Sequence, residues 1–268
     1  MGAFRKIIKN LLPYYIVKKY ELKRQTILKE DDYEFHYKQK GFCPICNKNV
    51  VFFSENTWLR DHFICTNCRS MPRQRALMTV IEHYYPNWMN LIIHESSSGN
   101  CSITAKLKKS CKRYIGSRYY PKQEFGKIIN GYRNEDLEEQ TFDNEIFDIV
   151  ITQDVFEHIY NPGKAFSEIA RTLKKGGAHI FTVPIVNKFK ETEVWAAMGA
   201  KGEPVFHKTE EWHINPVDKK GSPVTMHWGY DIVDFIKEHS NLETTIEYIR
   251  NLHFGIWAEY IEVLVSKK

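Results

Sequence analysis

A chain of 268 residues with 43 % apolar and 14 % aromatic side chains can bury one large domain with an appendage, or two small ones, which excludes a disordered protein. The net charge of +5 is too modest to point to nucleic acid by itself, and no apolar run reaches the roughly 18 to 20 residues that cross a bilayer. With no signal peptide visible, a cytoplasmic protein is expected.

The charge is unevenly placed. Residues 1–29 carry eight Lys/Arg against the single acid Glu21, a balance of +7, which leaves about −2 on the rest. In "FRKIIKNLLP", Phe4, Ile7, Ile8, Leu11 and Leu12 recur on one helical face beside Arg5, Lys6 and Lys9, until Pro13 interrupts. Two readings stand for this basic amphipathic segment, assigned to residues 1–40. It docks on the protein's own body, or it touches an anionic surface at the inner face of the membrane.

"GFCPICNKNVVFFSENTWLRDHFICTNC" follows. Cys43 and Cys46 form one C-x-x-C pair and Cys65 and Cys68 another, with eighteen residues between, a spacing that suits four thiolates around one tetrahedral Zn(2+). "VVFF" and "HFIC" are expected as short strands, so residues 41–72 read as a zinc ribbon whose metal supplies much of its stability. Four buried thiols without metal, or iron in the same site, are the alternatives. A closed site of four thiolates has no open coordination position, so its role is structural. A helix is expected from Pro72, with Arg73 and Arg75 near its first turn either gripping an anion or solvated.

From residue 91 onward, within a domain assigned to residues 73–268, apolar strands alternate with helical stretches, the pattern of a parallel α/β sheet. The expected strands are "NLIIHE", "RYIGS", "IINGYR", "FDIVITQ" and "GAHIFTVP". In "NPGKAFSEIARTLKKGG" Asn161 caps a helix, Pro162 takes its first position and Gly176 or Gly177 stops it. "TIEYIR" and "GIWAEYIEVLVSKK" have no helix-sized segment between them and are expected to pair antiparallel.

The run "FDNEIFDIVITQDVFEHIYNPGKAFSEIARTLKKGGAHIFTVP" resembles the fourth-strand to fifth-strand region of class I S-adenosylmethionine (SAM) dependent methyltransferases. It supplies Phe147-Asp148, Asp154, Glu157-His158, the "EIAR" of residues 168–171, Gly176-Gly177 and Pro184 in the family's order. The resemblance covers residues 90–184. It implies a Rossmann-like seven-stranded methyltransferase sheet with an antiparallel C-terminal hairpin, beside the small N-terminal zinc ribbon, and SAM as the cofactor.

Carried over residue by residue, it implies that Glu95 is the acid ending the first strand, facing the methionine portion of SAM. Ser97 stands where the family has its first glycine and Gly99 where it has the second. The acid expected at the end of the second strand is missing, and Ser117 offers a weaker ribose contact. Asp136 would accept from the adenine amino group, Leu137 would flank the ring, and Gln153 and Asp154 would face the reacting methyl. Asp154 is equally suited to capping the next helix.

Methyl transfer needs the acceptor aligned, and a base only where the acceptor is a hydroxyl or similar group. His158 is the first candidate base, and Asp154 and His213 complete the catalytic candidates. Residues 185–231 form an insertion rich in Trp and His, in which His213 and Asn215 would orient an acceptor; packed, satisfied histidines are the alternative. Part of it, from "WHINP" to "WGYD", is similar to methyltransferases associated with bacterial cell-surface polysaccharides. That likeness and the basic helix favour O-methylation of a small molecule, sugar or glycolipid. An RNA methyltransferase using the ribbon for RNA, and a non-catalytic binding module, are the alternatives.

Overall fold

The computed structural model describes residues 37–215 and 220–268. The expected basic helix lies outside them, as do residues 216–219 of the insertion.

Strands β1 (Tyr37–Cys43) and β2 (Lys48–Ser54) form an antiparallel hairpin, and the short β3 (Ile64–Cys65) adds beside β2. A single helical turn, α1 (Leu59–His62), and then α2 (Pro72–Tyr84) follow. The hairpin begins at Tyr37, ahead of the expected boundary at 41. It is no free-standing module: Cys43, Ile45, Phe52, Phe63 and Cys65 share one buried cluster with Leu77 and Ile81 of α2 and with Ile93, Ile149 and Ile180 of the main sheet. Two glycines make that docking close. A side chain at Gly41 would strike the carbonyl of His253 at 2.0 Å, and one at Gly255 (φ +65°) would strike the Phe52 ring at 2.7 Å.

The main sheet is built from β4 (Ile92–Ser96), β5 (Arg113–Arg118), β6 (Ile128–Ile129), β7 (Tyr132–Asn134), β8 (Phe147–Gln153) and β9 (Leu173–Thr182), with α3 (Ser102–Ser110) and α4 (Pro162–Thr172) between strands. Among the described residues of the insertion lie three small antiparallel pairs: β10 (Glu193–Val194) with β15 (Met226–His227), β11 (Ala196–Met198) with β12 (Pro204–Phe206), and β13 (Trp212–His213) with β14 (Ser222–Pro223). Helix α5 (Ile232–Ser240), β16 (Glu243–Glu247) and β17 (Val263–Lys267) complete the order.

The eight strands run β16-β17-β9-β8-β4-β5-β7-β6. Those from β9 through β7 are parallel, whereas β17 is antiparallel to both neighbours, as expected of the C-terminal pair. Strand order therefore reverses beside β4, and in such sheets the ligand sits beyond the carboxyl ends at that switch. Alternation assigns the faces. Ile149 and Ile151 of β8 point to the cluster under α2 and α3, while Val150 points to Phe166 and Ile169 of α4 and Ile236 of α5.

Two expectations need correction. "IINGYR" is not one strand but a hairpin, because Asn130 (φ 51°) and Gly131 (φ 81°) take the paired left-handed angles of a tight turn. The eighth strand arises from this. Helix α4 is capped by Asn161, whose side chain accepts from Lys164 N, but it ends at Thr172, and residues 173–177 already belong to β9. Gly176 (φ 79°) serves an irregularity in that strand, not a helix stop.

Candidate functional site

The turn after β4 is built around Glu95. Its carboxylate is 1 % exposed and accepts from Thr104 Oγ1 at 2.7 Å, Gln153 Nε2 at 2.6 Å and the Tyr114 hydroxyl at 2.6 Å. Burial pushes its pKa up, and these three donors oppose the rise. Glu95 thus ties the ends of β4 and β8 to the start of α3 and fixes Gln153 at the switch point.

Ser97 adopts φ 56°, the left-handed conformation that glycine takes without penalty and other L-residues at a cost of about 1 kcal/mol or more. The serine therefore follows a glycine-like path. Ser98, wholly buried, holds the turn by donating its hydroxyl to Glu95 O at 2.9 Å, and its N–H reaches Ser117 O at 3.0 Å. At Gly99 an added Cβ would meet no atom closer than 4.0 Å. Open space beside a backbone that needs no glycine angle leaves room for a ligand to approach the main chain. The turn accordingly fits SAM.

The other expected cofactor residues make contacts of their own within the fold. Ser117 does not face the cleft. It is fully buried, and its hydroxyl lies 2.8 Å from Nε2 of the core residue His94. Arg118, next along the strand, stacks 3.8 Å from the Tyr132 ring centroid and donates to Ser98 O at 2.8 Å. Asp136 accepts from Glu138 N at 2.8 Å, forming its own tight turn, and Leu137 is 5 % exposed within the core cluster.

Asp154, at the end of β8 with φ 51°, neither caps α4 nor stands free. Both its oxygens accept from Arg60 Nη2 at 2.9 Å, Arg73 Nε lies 2.8 Å from Oδ2, and Thr182 Oγ1 donates to Oδ1 at 2.9 Å. Burial alone would raise its pKa, but the two guanidiniums bring it down to about 2. A carboxylate so committed is an anchor. It joins the ribbon's α1 and the start of α2 to the catalytic edge of the sheet. Arg73, also paired with Asp61, is therefore neither solvated nor open to an outside anion.

Beyond this anchor lies a cleft of about 590 Å³. Asp154, Glu157 and His158 form its floor, Glu211, His213 and His227 its lid side, and Trp58 and Tyr260 part of its rim. Thr225 of the insertion donates its N–H to Glu157 O at 2.7 Å, so the lid and the loop after β8 are fastened together. Burial, then the neighbouring Asp154, pushes the Glu157 carboxyl up to about 8, whereas burial lowers His158 to about 4. Burial thus disfavours the charged form of both groups. The His158 and His213 rings meet edge to face at 4.9 Å. His158 and His213 were legible in the sequence as candidates, and Glu157 only as the neighbour of one. The partnership of Arg60 and Arg73 with Asp154 had no local signal.

The four cysteines converge. Cys43 and Cys68 Sγ are 3.6 Å apart, Cys46 and Cys65 Sγ are 3.9 Å apart, and all four lie within 4.8 Å of one another. Ligands about 2.3 Å from a tetrahedral zinc stand about 3.8 Å from each other, so the set fits the ion. Arg75 is completely buried behind the thiols. Its guanidinium donates to Ser70 O, to Phe63 O at 2.7 Å and to Gly255 O at 2.6 Å, and it lies 4.5 Å from the Phe52 ring centroid. Burial lowers its pKa to about 10 against the opposing pull of the cysteines. A cation there offsets the negative charge of four thiolates around a divalent metal.

Residues 94–181 match the family model described as a methyltransferase domain. Strand order and switch point agree with that match: residues 94–181 carry a methyltransferase domain on a Rossmann-like sheet. A SAM-dependent methyltransferase from Mesorhizobium loti is similar at 15 % identity and TM-score 0.43, over 71 % of this chain and 96 % of that one. The 1,6-didemethyltoxoflavin-N1-methyltransferase of Burkholderia thailandensis, with S-adenosylhomocysteine bound, gives 8 % and 0.44 over 72 % and 76 %. Neither likeness is high enough to transfer a substrate or a residue role. No curated protein matches the chain.

Proposed function

We propose that this enzyme transfers the methyl group of SAM to a hydroxyl of a small, sugar-like or glycolipid acceptor, and that the four cysteines hold one structural zinc. The cleft carries the reading: about 590 Å³ beside the insertion fastened through Thr225 suits a compact acceptor better than a polynucleotide. Its arginines are spent on Asp154 and Asp61, so among the described residues no unpaired arginine lines the cleft to meet a phosphate backbone. The +7 charge on residues 1–29 would favour acceptors displayed at an anionic membrane surface.

SAM, when bound, supplies an electrophilic methyl on a sulfonium. Gly99 and the main chain around Ser97 would hold its methionine portion, Asp136 and Leu137 its adenine, and Gln153 would lie beside the reacting carbon. Glu95 acts by fixing Gln153. The acceptor's hydroxyl would be held between His158, Glu157 and His213. His158 Nδ1 lies 2.8 Å from Pro223 O; a carbonyl can only accept, so the proton sits on Nδ1 and Nε2 keeps a lone pair. Alignment is the main contribution required, and it is worth several kcal/mol.

Calorimetry tests the reading. SAM and its demethylated product should bind, and Gly99→Val, which costs the fold little because the site is open, should weaken both at least about tenfold, or about 1.4 kcal/mol. Absence of binding to the wild-type chain would refute the enzyme assignment. Labelled methyl appearing in RNA and not in a glycolipid fraction would refute the acceptor.

A further inference from the structure

Three side chains in the cleft are arranged beyond what holding a hydroxyl requires. Glu157, His158 and His213 each offer a ligand atom, and these atoms lie within 4.8 Å of one another. Glu157 is 3 % exposed, its Oε1 is 3.8 Å from His158 Nε2, and its Oε2 has no hydrogen-bond partner among the described residues. A buried carboxylate oxygen without a partner is costly, so its position calls for an occupant. Nδ1–H of His158 donates to Pro223 O, which aims the Nε2 lone pair back toward Glu157. On the lid, Glu211 meets His213 Nε2 at 3.3 Å with one oxygen and His227 Nε2 at 3.0 Å with the other. Carbonyl and carboxylate partners of this kind orient imidazoles that ligate metals.

We propose that Glu157, His158 and His213 form a second metal site, separate from the four thiols, that takes a divalent first-row ion such as zinc, manganese or iron(II). Two imidazoles and one carboxylate are a donor set for such ions. Three protein ligands leave coordination positions open, and since the same residues line the cleft, those positions face it. Ligand atoms around a four-coordinate ion with bonds near 2.1 Å stand about 3.4 Å apart, so the 3.8 Å pair closes by a few tenths of an ångström and His213, within 4.8 Å of both, by at most about 1.4 Å. The nearby arginines do not repel the cation on balance, because Arg60 and Arg73 are matched by Asp154 and Asp61. The open positions would hold the acceptor's oxygen, with His158 acting as a ligand and not as a free base. That last role rests on the methyltransferase reading; the metal site does not.

Cobalt(II) bound to the full chain separates the two sites, since thiolate ligands give an intense charge-transfer absorption that nitrogen and carboxylate ligands do not. Two equivalents should bind, the second adding no thiolate absorption. Glu157→Gln and His213→Ala should each weaken the second equivalent at least about tenfold and leave the thiolate absorption unchanged. Should Glu157→Gln fail to fold, His213→Ala, on the lid, decides. Saturation at one equivalent, or a second equivalent equally tight in the variants that fold, overturns the site. Calorimetry with SAM on the same samples keeps the readings apart. A chain that takes the second cobalt but no SAM retains the metal site and loses the methyltransferase.

Discussion

Replacing Asp154 by Asn keeps the shape of the side chain and removes its charge from between Arg60 and Arg73. The folded carboxyl titrates at about 2, below its ordinary 3.8, so its stabilisation is fully present above pH 3.8 and is lost as pH falls toward 2. Held that far below its ordinary range, the carboxylate contributes about 2 kcal/mol at pH 7, and roughly half of that remains at pH 3. The side chain is 18 % exposed, so solvent screening reduces the figure little. Urea unfolding of both proteins from pH 7 to pH 3 measures the difference. The variant should be weaker by about 2 kcal/mol at pH 7, with the gap narrowing to about 1 at pH 3. A gap under about 0.5 kcal/mol at pH 7, or one constant across the series, would show that Asp154 is not the anchor described.

Metal analysis should find zinc bound by the four thiols and lost when Cys43→Ser is combined with Cys65→Ser. Because the ribbon shares its core with the sheet, a chelator should shift the whole thermal transition and not split off a minor one; an unmoved main transition contradicts the shared core. Arg75→Met strands the carbonyls of Ser70, Phe63 and Gly255 and should cost about 3 to 5 kcal/mol in denaturant unfolding. Ser97→Gly removes a left-handed penalty of about 1 to 2 kcal/mol but adds about 0.5 to 1 of unfolded-chain entropy, so equal or slightly higher stability is expected, and a clear loss would mean that the serine side chain is itself needed.

The parallel strands and helix α4 were legible because each is a local pattern: an apolar run, a cap at Asn161, a proline at the first turn. The cysteine pairs were legible for the same reason, since ligand spacing is written along the chain. The hairpin at Asn130-Gly131 carried its signal in that dipeptide, which was subsumed into an apolar run. Ser117 was placed correctly on its strand and wrongly in its facing, because a one-residue difference in a strand exchanges core for cleft. The partners of Asp154 had no local trace, as Arg60 lies 94 residues away and the contact exists only once the ribbon has docked. Glu157 was hidden for a related reason. Its burial and its unpartnered oxygen come from Thr225 and the lid closing over it, and no window of sequence around "VFEH" contains that lid.

The shared core of ribbon and sheet changes what the four cysteines answer for. Phe52 and Phe63 stand at once beside the four cysteines and in the cluster that supports Ile93 and Ile149 beneath the turn after β4. The binding energy of an ion held by the four thiols would then be spread into the strands that carry Glu95 and Gln153. Thiol oxidation or zinc scarcity would be felt as a slackening of the cleft itself, so the supply of an ion that takes no part in the reaction would set how much competent enzyme a cell holds.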